Sequence, residues 1–172
     1  MAVVNRNSTQ IANVVANPPV QNNAFAEAAH LRSVLGYVAN AADDSANSIH
    51  RIARLPSNCN VRSIKLSTGD ASTAGAINLG LYYSADNPAS ATAAVIDVDL
   101  FGSAIDLTGG PFIKTELVGE SGEYTIAEQI MPLWQAAGLS ADPGGYFDLA
   151  ATISTTYSGA AVGQLFEVAY VQ

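Results

Sequence analysis

The stretch SIHRIARLPSNCNVRSIKLS, residues 48–67, decides how the chain is read. Apolar and polar residues alternate over residues 48–55 and again over 60–67, the period of a half-buried strand. Pro56, Ser57 and Asn58 turn the chain between the two runs. On strict alternation Ile49, Arg51, Ala53 and Leu55 face one way, and Ser48, His50, Ile52 and Arg54 the other. In the second run Arg62, Ile64 and Leu66 oppose Val61, Ser63 and Lys65. The stretch also holds four of the chain's seven cations, one of its two histidines and its only cysteine, Cys59. Unbroken alternation divides those cations between faces. A nucleic-acid patch gathers them on one side, so they read instead as partners for carboxylates, within the subunit or across a contact.

Outward from this stretch the β pattern continues. In AINLGLYYS (76–84) Ile77, Leu79, Leu81 and Tyr83 share a face, which makes it the clearest strand. AVIDVDLF (94–101) is another, GSAIDLTGGP (102–111) breaks the pattern, and FIKTELV (112–118) predicts a short strand. YTIAEQIMPLWQAAGL (124–139) is the helical candidate: Thr125 and Glu128 have capping-box spacing, and Gly138 sits where a C′ residue belongs. Pro132 inside it predicts a kink or two pieces, with Pro132 at N1 of the second. YFDLAATIST (146–155) and QLFEVAYVQ (164–172) are expected as a terminal hairpin. Toward the N-terminus a strand is expected over Val34 to Ala39, against a helix from Ala24 as the other reading. Seven or eight short strands separated by turns, with one helical insertion, predict an antiparallel β-sandwich of jelly-roll type.

The Asn-rich residues 1–30, broken by Pro18-Pro19, differ in texture from the expected sandwich domain, 31–172. They read either as a frayed terminus or as an extended arm whose Val3, Val4, Ile11, Val14, Val15 and Val20 pack on a neighbouring subunit. Their composition is unlike a signal peptide, and Asn, Gln and Pro make residues 7–26 too polar to span a bilayer.

Of the 172 residues only 13% are charged, 49% are apolar, and mean hydropathy is +0.20. So little charge implies apolar surface covered by partners, a subunit rather than a free monomer. The net charge of −8 argues against nucleic acid and against anionic membranes as partners. One cysteine forms no intrachain disulfide, which suits folding in a reducing cytoplasm.

No constellation assigns chemistry. His30 and His50 lie in different segments, and no metal-binding motif is present. Asp97 and Asp99 have the first spacing of a calcium loop, but Leu100-Phe101 follows where oxygen donors belong. Asp43-Asp44 reads as a solvated loop pair. Gly119-Glu120-Ser121-Gly122 is not a nucleophile elbow, and Cys59 near His50 reads as a small buried or turn-edge cysteine before a thiolate pair. Glu116, Glu120 and Glu123 cluster in a Gly/Ser loop without aromatic sugar platforms. Trp134 reads as a plug over one end of the sandwich or as an interface anchor. Accordingly no catalytic, cofactor-binding or metal-ligating residue is assigned, and no cofactor is expected.

IHRIARLPSNCNVRSIKL, INLGLYYS, VIDVDLFGSAIDL, YTIAEQIMPLWQAAGLSADPGGYFDLAATI and FEVAYVQ, taken in order, resemble structural proteins of tailed bacteriophages of the head decoration (cement) type. The resemblance covers residues 31–172 and leaves the first thirty aside. It implies a non-enzymatic virion protein that forms a dimer or trimer, binds the major capsid protein on the capsid exterior and bridges neighbouring capsomers. It also implies synthesis in the host bacterial cytoplasm. The alternative is a receptor- or glycan-binding module at a tail or head fibre, with Tyr82, Tyr83 and Tyr157 stacking on sugars.

Overall fold

The computed structural model describes residues 8–21, 30–41, 44–69, 74–90, 93–119, 122–158 and 163–172. In chain order the elements are α1 (Thr9–Val14), β1 (Leu31–Ala39), β2 (Ile49–Pro56), β3 (Asn60–Thr68), β4 (Ala74–Tyr83), β5 (Val95–Asp106), β6 (Thr115–Glu116), a 3-10 turn (Glu128–Ile130), α2 (Leu133–Ala136), β7 (Tyr146–Ser158) and β8 (Gly163–Val171). They build two antiparallel sheets, ordered β1-β8-β3-β6 and β2-β7-β4-β5. The pairing is nested: β1 with β8, β2 with β7, β3 with β6 and β4 with β5. Such a ribbon has been rolled until β8 also meets β3 and β7 also meets β4. This is the jelly roll, so the expected all-β sandwich is the fold that forms.

Alternation fills the space between the sheets. Ile64, Leu66, Phe166 and Val168 point in from the first sheet, and Leu55, Ile77, Leu79, Leu81, Phe147, Leu149 and Ile153 from the second, all essentially without exposure. Each such side chain contributes roughly 1.5–3 kcal/mol by leaving water. That burial, rather than any staple, holds the sheets together.

The roll overturns the expected terminal hairpin. β7 and β8 are consecutive, yet they lie in different sheets and each pairs with other strands. Four further expectations change. β5 runs on through Asp106, past the expected break, with Ala104 at φ 50° inside it. The strand expected over 112–118 shrinks to Thr115–Glu116. Beyond it the Glu116 carboxylate stands in for a ladder partner: Oε1 accepts from the Ile64 N–H at 2.8 Å, and Oε2 takes the Ser63 hydroxyl. The first strand starts at Leu31, three residues before the expected boundary. Residues 9–14 of the expected extended arm are helical, because the Ser8 hydroxyl accepts from the Ile11 N–H and caps the turn.

The helical insertion forms in two pieces, as Pro132 predicts. Thr125 and Glu128 make the reciprocal box, N–H to carboxylate at 2.6 Å and N–H to hydroxyl at 3.4 Å. Gly138 takes φ 73° after α2. Pro132 is the N-cap rather than N1. The insertion docks on the β2–β3 turn, where the Leu133 N–H donates to Cys59 O at 2.7 Å and the Trp134 N–H to Ser57 O at 3.0 Å.

A β-bulge in β2 rewrites the reading of its faces. Arg51 stands opposite Ala150 and Ala53 opposite Leu149, so Ile52 is an extra residue with no partner on β7. Strict alternation had placed Arg51 and Arg54 on opposite faces. The inserted residue brings both to the outer face, while Ile52, Ala53 and Leu55 are all buried. A second bulge, at Arg62 between Val61 and Ser63, likewise lets Val61 and Ile64 both turn inward.

The bulge also dictates a glycine. A Cβ added at Gly36 of β1 would lie 2.4 Å from the Ile52 carbonyl oxygen and 2.6 Å from its Cγ2. The Gly36→Ala variant is therefore expected to lose about 1–3 kcal/mol in denaturant unfolding, with its β-type circular dichroism retained. Unchanged stability would contradict the close approach of β1 to the bulge.

Candidate functional site

On the outer face of the second sheet the bulge assembles a charged hub. Asp148 follows Phe147 on β7 and points outward, opposite Arg54 on β2 and Tyr82 on β4. Its carboxylate, 10% exposed, accepts from Arg51 Nη1 at 2.8 Å and from Arg54 Nε at 3.2 Å. Arg54 Nη1 continues to Asp86 at 3.1 Å. Arg51 lies 5.3 Å from the centroid of the Tyr82 ring and donates through Nη2 to Ala93 O. Tyr82 in turn shares a hydrogen bond of 2.6 Å with the Thr152 hydroxyl. Arg51, Ile52, Ala53, Arg54 and Asp148 line an open depression of about 300 Å³. Both guanidiniums along it are already paired, so the hub ties β2, β7 and the β4–β5 loop together before it offers charge to a ligand.

The other sequence candidates are placed as follows. His30 precedes β1 and exchanges backbone bonds with Gln172, at the opposite end of the sandwich from His50. His50, at the start of β2, faces Asp44 at 3.3 Å. Cys59 lies beyond the other end of β2, some eight residues of strand and so about 25 Å away. The two make no thiolate pair. Cys59 is fully buried, and burial pushes its thiol from 9.0 up to about 12 against the smaller opposing pull of its backbone hydrogen bond. Asp97 and Asp99 remain neighbours on β5, the Asp99 N–H donating to Asp97 Oδ1 at 3.1 Å. Burial first, and then the contact with Asp99, outweigh the opposing backbone bonds and raise the Asp97 carboxyl. Among the described residues no group of three or more His, Cys, Asp or Glu is gathered to hold a metal ion. Glu116 is structural and Glu123 exposed, while Asp43, Glu120 and Ser121 lie outside the described residues. Trp134 is half-buried against the core, as a plug would be. Tyr82 and Tyr157 are 4% and 5% exposed, and Tyr83 packs edge-on against Phe147. Tyr82 and Tyr157 therefore present no open ring face to a sugar, while Tyr83 is half-buried.

Exposed apolar surface lies elsewhere. Leu31, Leu35 and Tyr37 alternate outward along β1 at 64–70% exposure, and Tyr37 stands opposite Leu165 of β8. This row runs along one edge of the first sheet. Beside it are Lys65 and the pair Lys114–Glu167 at 3.5 Å, which contributes about 0–1 kcal/mol. In residues 8–21, Ile11, Val15 and Val20 are each more than half exposed. Sequence reasoning named the valines of the N-terminal stretch but missed the β1 row. Its signal was present: Val34 and Val38 occupy one parity of β1, and Leu31, Leu35 and Tyr37 the other, so the strand is apolar on both faces. No helix among the described residues is long and apolar enough to cross a membrane.

No protein-family model matches the chain, and no curated protein matches it in sequence. In shape it is similar to a chain of the cyanophage Pam1 capsid asymmetric unit, at 12% identity and TM-score 0.48, covering 89% of this chain and 98% of that one. It is also similar to a chain of the acidic stable capsid structure of Helicobacter pylori bacteriophage KHP30, at 12% identity and TM-score 0.41, covering 84% and 93%. Likeness at that level does not extend to function.

Three measurements check this geometry. Asp148→Ala is expected to lose about 1.5–3 kcal/mol in denaturant unfolding, the scale of hydrogen bonds to charged groups, because the two freed guanidiniums still reach water. Native Cys59 is expected to resist an aromatic disulfide reagent at pH 8 and to react at once in guanidinium. Because the folded thiol keeps its proton above the pH at which the unfolded one ionises, its contribution is full below about pH 9. Stability should then fall as pH rises from about 9 toward 12.

Proposed function

We propose that the chain is a non-enzymatic structural subunit that decorates a bacteriophage capsid. In this reading residues 31–172 form the docking domain and residues 1–30 an arm laid along a neighbour. The subunit binds major capsid protein on the particle's exterior, bridges neighbouring capsomers and associates with itself as a dimer or trimer. One observation carries the reading: apolar side chains stand exposed in several places, the arm and the outer row of β1 among them, on an acidic chain with few charges. The sequence resemblance over residues 31–172 names the kind of surface they meet. The two chains of similar shape are phage capsid components by their descriptions, a likeness too distant to argue for the same role here.

The energetics suit a repeated contact. Burying Ile11, Val15 and Val20 contributes roughly 1.5–3 kcal/mol each before the cost of ordering the arm. Two modest patches per subunit, engaged together, gain effective concentration from one another. A receptor- or glycan-binding module is the weaker alternative, since two of the three tyrosines it would use, Tyr82 and Tyr157, are buried.

Deleting residues 2–22 tests the reading. Purified capsids incubated with the shortened chain are expected to retain far fewer copies and to lose heat resistance. Undiminished occupancy would overturn the role of the arm. A separate variant, Leu35→Asp with Tyr37→Asp, is expected to weaken self-association in sedimentation without unfolding the sandwich.

A further inference from the structure

At the end of the sandwich where β1 and β7 finish and β2 and β8 begin, the gap between the sheets is lined by amides and a phenol. Val38 stands opposite Gln164 in the β1–β8 ladder, so Asn40, two residues on, points inward diagonally beside it. Asn40 and Gln164 are 2% and 1% exposed. Tyr157 comes in from the other sheet, and its hydroxyl accepts from Gln164 Nε2 at 2.8 Å. Burial raises the Tyr157 phenol, and the approach of the Gln164 and then the Asn40 amide to its hydroxyl pulls the other way, although the Asn40 contact falls short of hydrogen-bond geometry. Behind it, the Tyr157 N–H donates to Asp44 O, and the Asp44 carboxylate faces His50.

This polar end is not closed on itself. Asn40 Nδ2, Asn40 Oδ1 and Gln164 Oε1 are buried and have no hydrogen-bond partner among the described residues, and the same holds for His50 Nδ1. Native interiors leave very few such atoms without a partner.

We propose that this end of the sandwich holds ordered water, hydrogen-bonded to Asn40, Gln164 and Tyr157 and bridging the two sheets. The class of ligand follows from the donors and acceptors on offer. An asparagine amide presents one donor and one acceptor group whichever way it is turned, and Gln164 adds an acceptor while its NH₂ serves Tyr157. A cation would face the Asn40 NH₂ group, and an anion would face the Gln164 carbonyl. Water alone serves both kinds of atom, and the site offers it the two to four partners that buried water takes. Water there links the first sheet, through Asn40 and Gln164, to Tyr157 of the second.

The full chain is small enough for NMR. Water-to-amide cross-relaxation is expected at the side-chain NH₂ protons of Asn40 and Gln164, with the sign of a long-lived contact. Asn40→Leu is expected to abolish it at Gln164 while leaving the remaining amide spectrum in place. Should that variant not fold, the wild-type signal decides alone. Absence of long-lived water at both side chains would overturn the proposal. So would a crystal soaked in rubidium that shows an anomalous peak between Asn40 and Gln164, since the occupant would then be a cation.

Discussion

Asp148 ties the outer face of the second sheet together. One carboxylate, almost closed off from water, holds two arginines that a one-residue insertion at Ile52 has brought to the same face. Through Arg54 it reaches Asp86, and through Arg51 the carbonyl of Ala93, so the β4–β5 loop is fastened over the edge strand β2. The same bulge pushes the Ile52 carbonyl toward β1, where only a glycine leaves room for it. Edge strands β1 and β2, one from each sheet, are thereby locked across the open flank of the roll. The hub is a fastener, and its charges are spent within the subunit.

That division of labour leaves the outer row of β1 exposed. The second sheet's outer face is tied up in paired charge and a stacked tyrosine. The first sheet keeps an apolar row along β1. The N-terminal residues add a second apolar surface, capped into one short helical turn by Ser8. The charged depression on the second sheet is satisfied internally, whereas the β1 row stands exposed and apolar.

The strands with one clean apolar parity, Ala74–Tyr83 above all, were legible in the sequence because burial on one face imposes a period of two. The two-piece insertion was legible as well, from Pro132, Gly138 and the Thr125–Glu128 spacing. What misled were places where local and global order part company. A bulge shifts parity by one residue and leaves no mark in composition, so Arg51 and Arg54 were assigned to opposite faces. Adjacency in sequence suggested that β7 and β8 pair, whereas a rolled ribbon pairs its first strand with its last. The role of Asp148 was invisible for the same reason: its partners lie 94 and 97 residues away and meet it only through that roll. The β1 row was visible as a strand apolar on both parities, but only its edge position gives that pattern meaning.

The most direct test of the proposed capsid role is an image reconstruction of phage particles to which the purified chain has been added. The account predicts jelly-roll density on the outer surface, in a copy number set by the capsid lattice, with the β1 row against a partner and the N-terminal arm crossing to a neighbour. A few copies confined to the tail, or subunits touching nothing through β1 and the arm, would contradict it.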